Sequence, residues 1–185
     1  MMADWLELCK TALAGFGERV REVKDWQAPT PDTEWDVAHL VRHVIGEQQW
    51  VAPLVNGRTV AEATKDIDPL GDDLPAEWDR FSAQALKAWE NASPEGTVAL
   101  SYGLVPIEHY LREMVCDAAV HTWDLARAIG ADETLDPTLV QEVLAEIEPK
   151  KDMLKASGLF ADPVPVPDDA SPQDRLLAMT GRDPR

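Results

Sequence analysis

The chain carries four histidines, His39, His43, His109 and His121, and their neighbours decide what each can do. Only His121 has a carboxylate four residues earlier, Asp117. On a helix, positions i and i+4 stand about one turn apart, roughly 5–6 Å, so both side chains can reach one ion. A surface Asp–His ion pair would use the same two residues, and 34 acidic positions in 185 make such a spacing common by chance. His39 and His43 repeat the i, i+4 spacing elsewhere and could form a two-histidine metal pair of their own. Other chemistries lack their motifs. There is no Gly-x-Ser-x-Gly elbow, no Gly-rich phosphate loop, no His-Glu-x-x-His and no Cys-x-x-Cys. Cys9 and Cys116 are too few for a disulfide framework and read as small buried hydrophobes.

Helix phase refines the placement. Around Leu111 at 100° per residue gather Ile107, Met114, Val115, Ala118, Leu125 and Ile129, the apolar face of a helix over 107–129. His121 falls on the shoulder of that face, with Asp117 somewhat further out, while His109, Glu113 and Arg127 fall behind it. On an earlier helix the aliphatic stripe is Val37, Leu40, Val41, Val44 and Ile45, and the histidines share another line with Trp35, Gly46 and Trp50. That second stripe could line a pocket or pack its tryptophans under a loop. The wheel does not choose between His39 and His43.

The elements that must hold these residues read as follows. A helix over 3–24 is followed by a loop at 27–32, where Pro29 and Pro31 exclude helix. Thr33 can cap a second helix over 34–50, ended by Pro53 and Gly57. About twenty residues, 51–73, then connect to a third helix, with one short turn at 60–65. The third helix begins near Pro75 and shares one face among Trp78, Phe81, Ala85 and Trp89. A β-prone run at 97–105 is able to pair locally. Pro106 opens the fourth helix over 107–129 and Gly130 ends it. A fifth helical stretch, 137–156, is weakened at Pro149. The tail from Gly158 is rich in Pro and Asp and ends in a small helix capped by Ser171 and closed by Gly181. Four long amphipathic helices with little strand imply an all-α bundle, and the long second connection permits a crossover.

Length and charge set the outer bounds. The 185 residues make one domain of ordinary size, and no apolar run could span a bilayer. The first ten residues lack a positive n-region, so cytoplasmic location is expected. A net charge of −17 without a basic patch disfavours nucleic acid and anionic membranes as partners. Small molecules, metals or proteins remain.

Three segments together resemble one family. Trp35-Asp-Val-Ala-His-Leu-Val-Arg-His43-Val is similar to the second-helix motif of DinB-like proteins, especially the mycothiol-dependent maleylpyruvate isomerase branch. His121-Thr-Trp-Asp-Leu-Ala-Arg-Ala-Ile-Gly130 resembles that branch's fourth-helix signature. The ending, from Phe160 through Thr180-Gly-Arg-Asp-Pro184, resembles the tail of its uncharacterised actinobacterial members. The resemblance covers nearly the whole chain. It implies a DinB-like four-helix bundle with a long crossover connection, a single domain over 1–185, and residues 158–185 packing on the bundle as a C-terminal extension. It also implies a divalent metal held by His43, Asp117 and His121, which selects His43 over His39. Zinc comes first, and nickel or iron(II) suits the same donors. Aspartate stands at 117 where the family more often has glutamate, one methylene longer. The implied activity is a mycothiol-type, thiol-dependent transfer or isomerisation of a small electrophile, in a monomer or homodimer. A non-catalytic binding or sensing module with a weakened metal site is the alternative.

Overall fold

The computed structural model describes residues 2–32, 34–157 and 160–185. Among them, four long helices form a bundle: α1 (Met2–Glu22), α2 (Val37–Val55), α4 (Leu74–Asn91) and α5 (Ile107–Ile129). Each turns one stripe inward. Phe16 and Val20 of α1, Leu40, Val44 and Ile45 of α2, Trp78 and Trp89 of α4, and Leu111 and Leu125 of α5 are essentially fully buried. These are the stripes that helical spacing marks in the sequence.

The cross-links between helices fix their directions. Arg21 bonds Asp79 at 2.7 Å and Lys10 lies 3.6 Å from Glu90, so α1 and α4 run antiparallel. The Arg112 guanidinium sits 4.9 Å from the Trp5 ring and Arg19 reaches the carbonyl of Asp132, so α1 and α5 run parallel. The connection after α2 doubles back along that helix. Gln49 bonds the carbonyl of Asp68 and Arg42 bonds that of Gly71, which returns the chain to the start of α2 before α4 begins. Thus α2 and α4 are parallel, and the connection is the expected crossover. It contains the short helix α3 (Val60–Ala63), which a Thr59–Glu62 capping box begins and a 3₁₀ turn extends.

Between α4 and α5 lies an antiparallel hairpin, β1 (Thr97–Leu100) with β2 (Gly103–Pro106), in register Val98 to Val105. The fifth helical stretch breaks at Pro149 as its sequence suggests, into α6 (Pro137–Ile147), a 3₁₀ turn and α7 (Lys151–Ser157). The tail helix α8 (Pro172–Met179) packs on α6 and buries Leu176 and Leu177 in the common core. Ser171 caps it, accepting from the amide of Asp174.

Two local expectations change. Thr33 lies outside the described residues, and the cap of α2 is Asp36, whose carboxylate accepts from the amide of His39 at 2.8 Å. Before it, Pro29 and Asp36 form an isolated antiparallel bridge, with the Thr30 amide donating to the Trp35 carbonyl. The helix also passes through Pro53 and stops at Asn56. So close to the end, proline's missing N–H removes a single helical bond and the helix outlasts it by two residues.

Candidate metal centre

Antiparallel α2 and α5 set the site between them. His43 projects from α2; Asp117 and His121 project from α5, one turn apart. One ligand-type atom from each of the three lies within 4.8 Å of the other two. His121 Nε2 is 3.3 Å from Asp117 Oδ1, and the His43 and His121 rings meet edge to face at 5.2 Å. His121 is buried, and His43 and Asp117 are half-buried. The indole of Trp35 packs 4.7 Å from His43 and 6.1 Å from His121. Trp35 therefore reaches the site from the loop before α2, not from the helical line on which the wheel places it.

The other histidines stand apart. His39 is largely exposed and bonds Asp36 at 2.7 Å, absorbed in the start of its helix. His109 pairs with Glu113 at 3.2 Å, and Glu113 also accepts from the Tyr102 hydroxyl. Geometry thus brings His43 and not His39 into the cluster, and Glu113 turns away from it.

Behind His121 runs a second set of contacts. Its Nδ1 is 3.1 Å from Oδ2 of Asp124, a carboxylate with no exposed surface. Arg182, from the turn after α8, grips Asp124 with Nε on Oδ1 at 3.1 Å and Nη2 on Oδ2 at 2.7 Å. Sequence reading passes over both. Asp124 stands inside the segment that resembles the family signature, and its i+3 spacing from His121 is the signal that could have marked it.

Burial and charge oppose each other here. Burial disfavours the His121 imidazolium, but Asp117 and Asp124 outweigh it and push the group up to about 10. Burial likewise works against the charge on Asp117, and His121 with His43 overcomes it and lowers the carboxyl. His43 is lowered, chiefly by burial, with Asp117 pulling the other way. Glu47, one turn beyond His43, is raised to about 7 by burial first and by Asp117 second. On that same side of α2, Gly46 leaves open space where a Cβ would stand.

Two imidazoles and a carboxylate are the donor chemistry of zinc, nickel or iron(II). Metal–ligand bonds of about 2.0–2.2 Å in a tetrahedron place donor atoms roughly 3.4 Å apart. The Asp117–His121 pair already has that spacing at 3.3 Å, so the shorter aspartate is compatible with it. Burial favours the neutral His43 ring, the form that ligation needs, and Asp124 backs the other ring of the cluster in the way carboxylates back metal-bound histidines. The residues fit a divalent ion.

Fold and site together define a helical bundle with a two-histidine, one-carboxylate cluster between facing helices. Residues 6–126 match the model of the mycothiol maleylpyruvate isomerase N-terminal domain, and the chain belongs to that family. Two relatives, both uncharacterised proteins of Mycobacterium tuberculosis (strains CDC 1551 / Oshkosh and ATCC 25618 / H37Rv), are 34% identical over 164 residues. That match covers 83% of this chain and 83% of each relative. Crystal structures of mycothiol-dependent maleylpyruvate isomerase share the fold. A histidine-to-alanine mutant aligns with a TM-score of 0.64 and another structure of that enzyme with 0.60. Both are 19% identical and cover 80% of this chain and 69% of theirs. No helix among the described residues is long and apolar enough to cross a membrane.

Proposed function

We infer that the protein binds a divalent metal, zinc first, through His43, Asp117 and His121, and uses it in a thiol-dependent transfer or isomerisation of a small electrophile. The observation that carries this reading is the convergence of the three donor side chains within 4.8 Å, in a chain of the mycothiol maleylpyruvate isomerase N-terminal family. A cation there would supply Lewis acidity that favours thiolate over thiol. The chain's own side chains supply the rest. The Trp35 ring shields one flank from water. Glu47, half-buried one turn beyond His43, offers a carboxylate oxygen able to accept a thiol proton and return it. The open space at Gly46 leaves room on the same side of α2 for a ligand. Cys9 and Cys116 are both buried with their thiols pushed up, so the reacting thiol comes from a small molecule. The cytoplasm, where such thiols stay reduced, is the matching compartment.

One observation favours the non-catalytic alternative. His121 between Asp117 and Asp124 is already a complete ion-paired group, and a metal must displace the Nε2 proton. Metal analysis of untagged protein separates the readings. About one ion per chain is expected, lost in His43→Ala and His121→Ala and kept in His39→Ala. Negligible metal in the parent protein, before and after zinc loading, overturns the metal reading. With zinc bound, a thermal-shift titration with mycothiol tests the enzyme reading; no shift at millimolar thiol rejects it.

A further inference from the structure

We propose that the arm after α8 positions the metal centre: Arg182 orients Asp124, and Asp124 orients His121 so that Nε2 faces the ion. This rests on the metal reading above. The arm is held by more than one contact. Arg182 is nearly buried, its fork engages both oxygens of Asp124, and its Nη1 bonds the carbonyl of Thr180 at 2.7 Å, which makes the guanidinium rigid. The Phe160 ring lies 5.8 Å from it. Further along, Arg127 of α5 donates to the carbonyls of Pro184 at 3.1 Å and Arg185 at 3.2 Å, so the arm is tied to α5 at two places beyond the turn.

The turn itself admits only glycine. Gly181 has φ +79°, and a Cβ there would stand 2.6 Å from the Ala161 Cβ and 2.8 Å from that residue's backbone. Left-handed backbone at this point sends the chain back toward α5 and brings Arg182 onto Asp124.

The physical consequence follows from the shared carboxylate. Asp124 Oδ2 accepts from both Arg182 and the His121 Nδ1–H. With both oxygens fixed by a planar fork, the carboxylate cannot rotate, and the imidazole it holds cannot rotate either. Nδ1 is then the donor nitrogen and Nε2, beside Asp117, is left for the metal. An arm contributed from 58 residues downstream thus sets the angle of a ligand on α5. Arg182 is a positioning residue, not a ligand.

The test compares full-length protein with Arg182→Gln, Arg182→Lys and Asp124→Asn for zinc affinity, measured by competition with a chromophoric chelator. Cobalt(II) absorption reports ligand geometry, which a merely structural role would not change. The expected result is a 10- to 100-fold loss of affinity in Arg182→Gln, the range for partners that back a ligand. Lysine should rescue only partly, because it lacks the fork, and the cobalt bands should shift. The Arg182→Gln/Asp124→Asn double variant should lose little more than Asp124→Asn alone. Should Arg182→Gln fail to fold, Arg182→Lys carries the comparison. Unchanged affinity and cobalt spectrum in folded Arg182 variants, with zinc bound normally by the parent chain, overturn the positioning role alone. No zinc on the parent chain overturns the metal reading and this proposal together.

Discussion

Glu47 carries a carboxyl that burial raises from its ordinary 4.5 to about 7, with Asp117 adding to the shift. An acid with its folded value above its unfolded one binds more protons when folded, so stability falls as pH rises between the two. Below about 4.5 there is no penalty, and above about 7 it is complete. Glu47→Gln should therefore stabilise the metal-free protein at pH 8, on the order of 2 kcal/mol once partial exposure is discounted, and change little at pH 4.5. Urea midpoints at the two pH values measure this, and equal shifts at both would reject the assignment. Zinc should shrink the gain at pH 8, since a nearby cation favours the carboxylate. The two cysteines give a second expectation at this scale. Burial pushes Cys9 up to about 12 and Cys116 also far upward. Neither should react with a disulfide reagent in native buffer at pH 8, and both should react once the chain is unfolded.

Among the elements, α1 presents Gly17 directly to the Trp78 side chain of α4. A Cβ there would fall 2.6 Å from Trp78 Nε1, and Trp78 cannot retreat because Phe16 packs its ring at 4.7 Å. Alanine favours helix by about 1 kcal/mol over glycine, yet overpacking a core costs about 1–3 kcal/mol. The clash should win. Gly17→Ala is expected to lower the melting temperature by a few degrees, and a rise would show that the interface relaxes freely. What the sequence discloses also divides by element. Helix stripes, the Pro149 break and the cap at Ser171 are local patterns readable in advance, whereas the crossover is only permitted by the length of its connection and implied by the family resemblance. The wheel leaves His39 and His43 equivalent because both lie on one line, and three-dimensional context separates them: Asp36 claims the first. The supporting pair Asp124 and Arg182 stays hidden because 58 residues separate them and each reads alone as a solvated charge. Pro53 misleads since a proline's effect depends on how many helical bonds remain beyond it.

At the level of the whole molecule, charge and metal act in opposite ways. A net charge of −17 repels itself in the compact state, and salt screens that repulsion. Between about 0.02 M and 0.5 M sodium chloride the melting temperature should rise; a fall would mean that ion pairs such as Arg112 with Glu108 and Glu146 outweigh the net repulsion. Zinc adds a different increment. At a free concentration one hundred times its dissociation constant it should stabilise by about 2.7 kcal/mol, reversed by a chelator.

The parallel pairing of α1 with α5 also has a consequence for how the chain is made. Arg19 finds its carbonyl partner 113 residues later. At roughly 5–20 residues per second, the helix that lies along α1 does not exist until on the order of ten seconds after α1 has been synthesised. Until then Trp5 lacks the Arg112 guanidinium that lies over its ring in the finished bundle. Newborn α1 is thus open to chaperone capture on this flank, and the bundle closes only when its fourth long helix arrives.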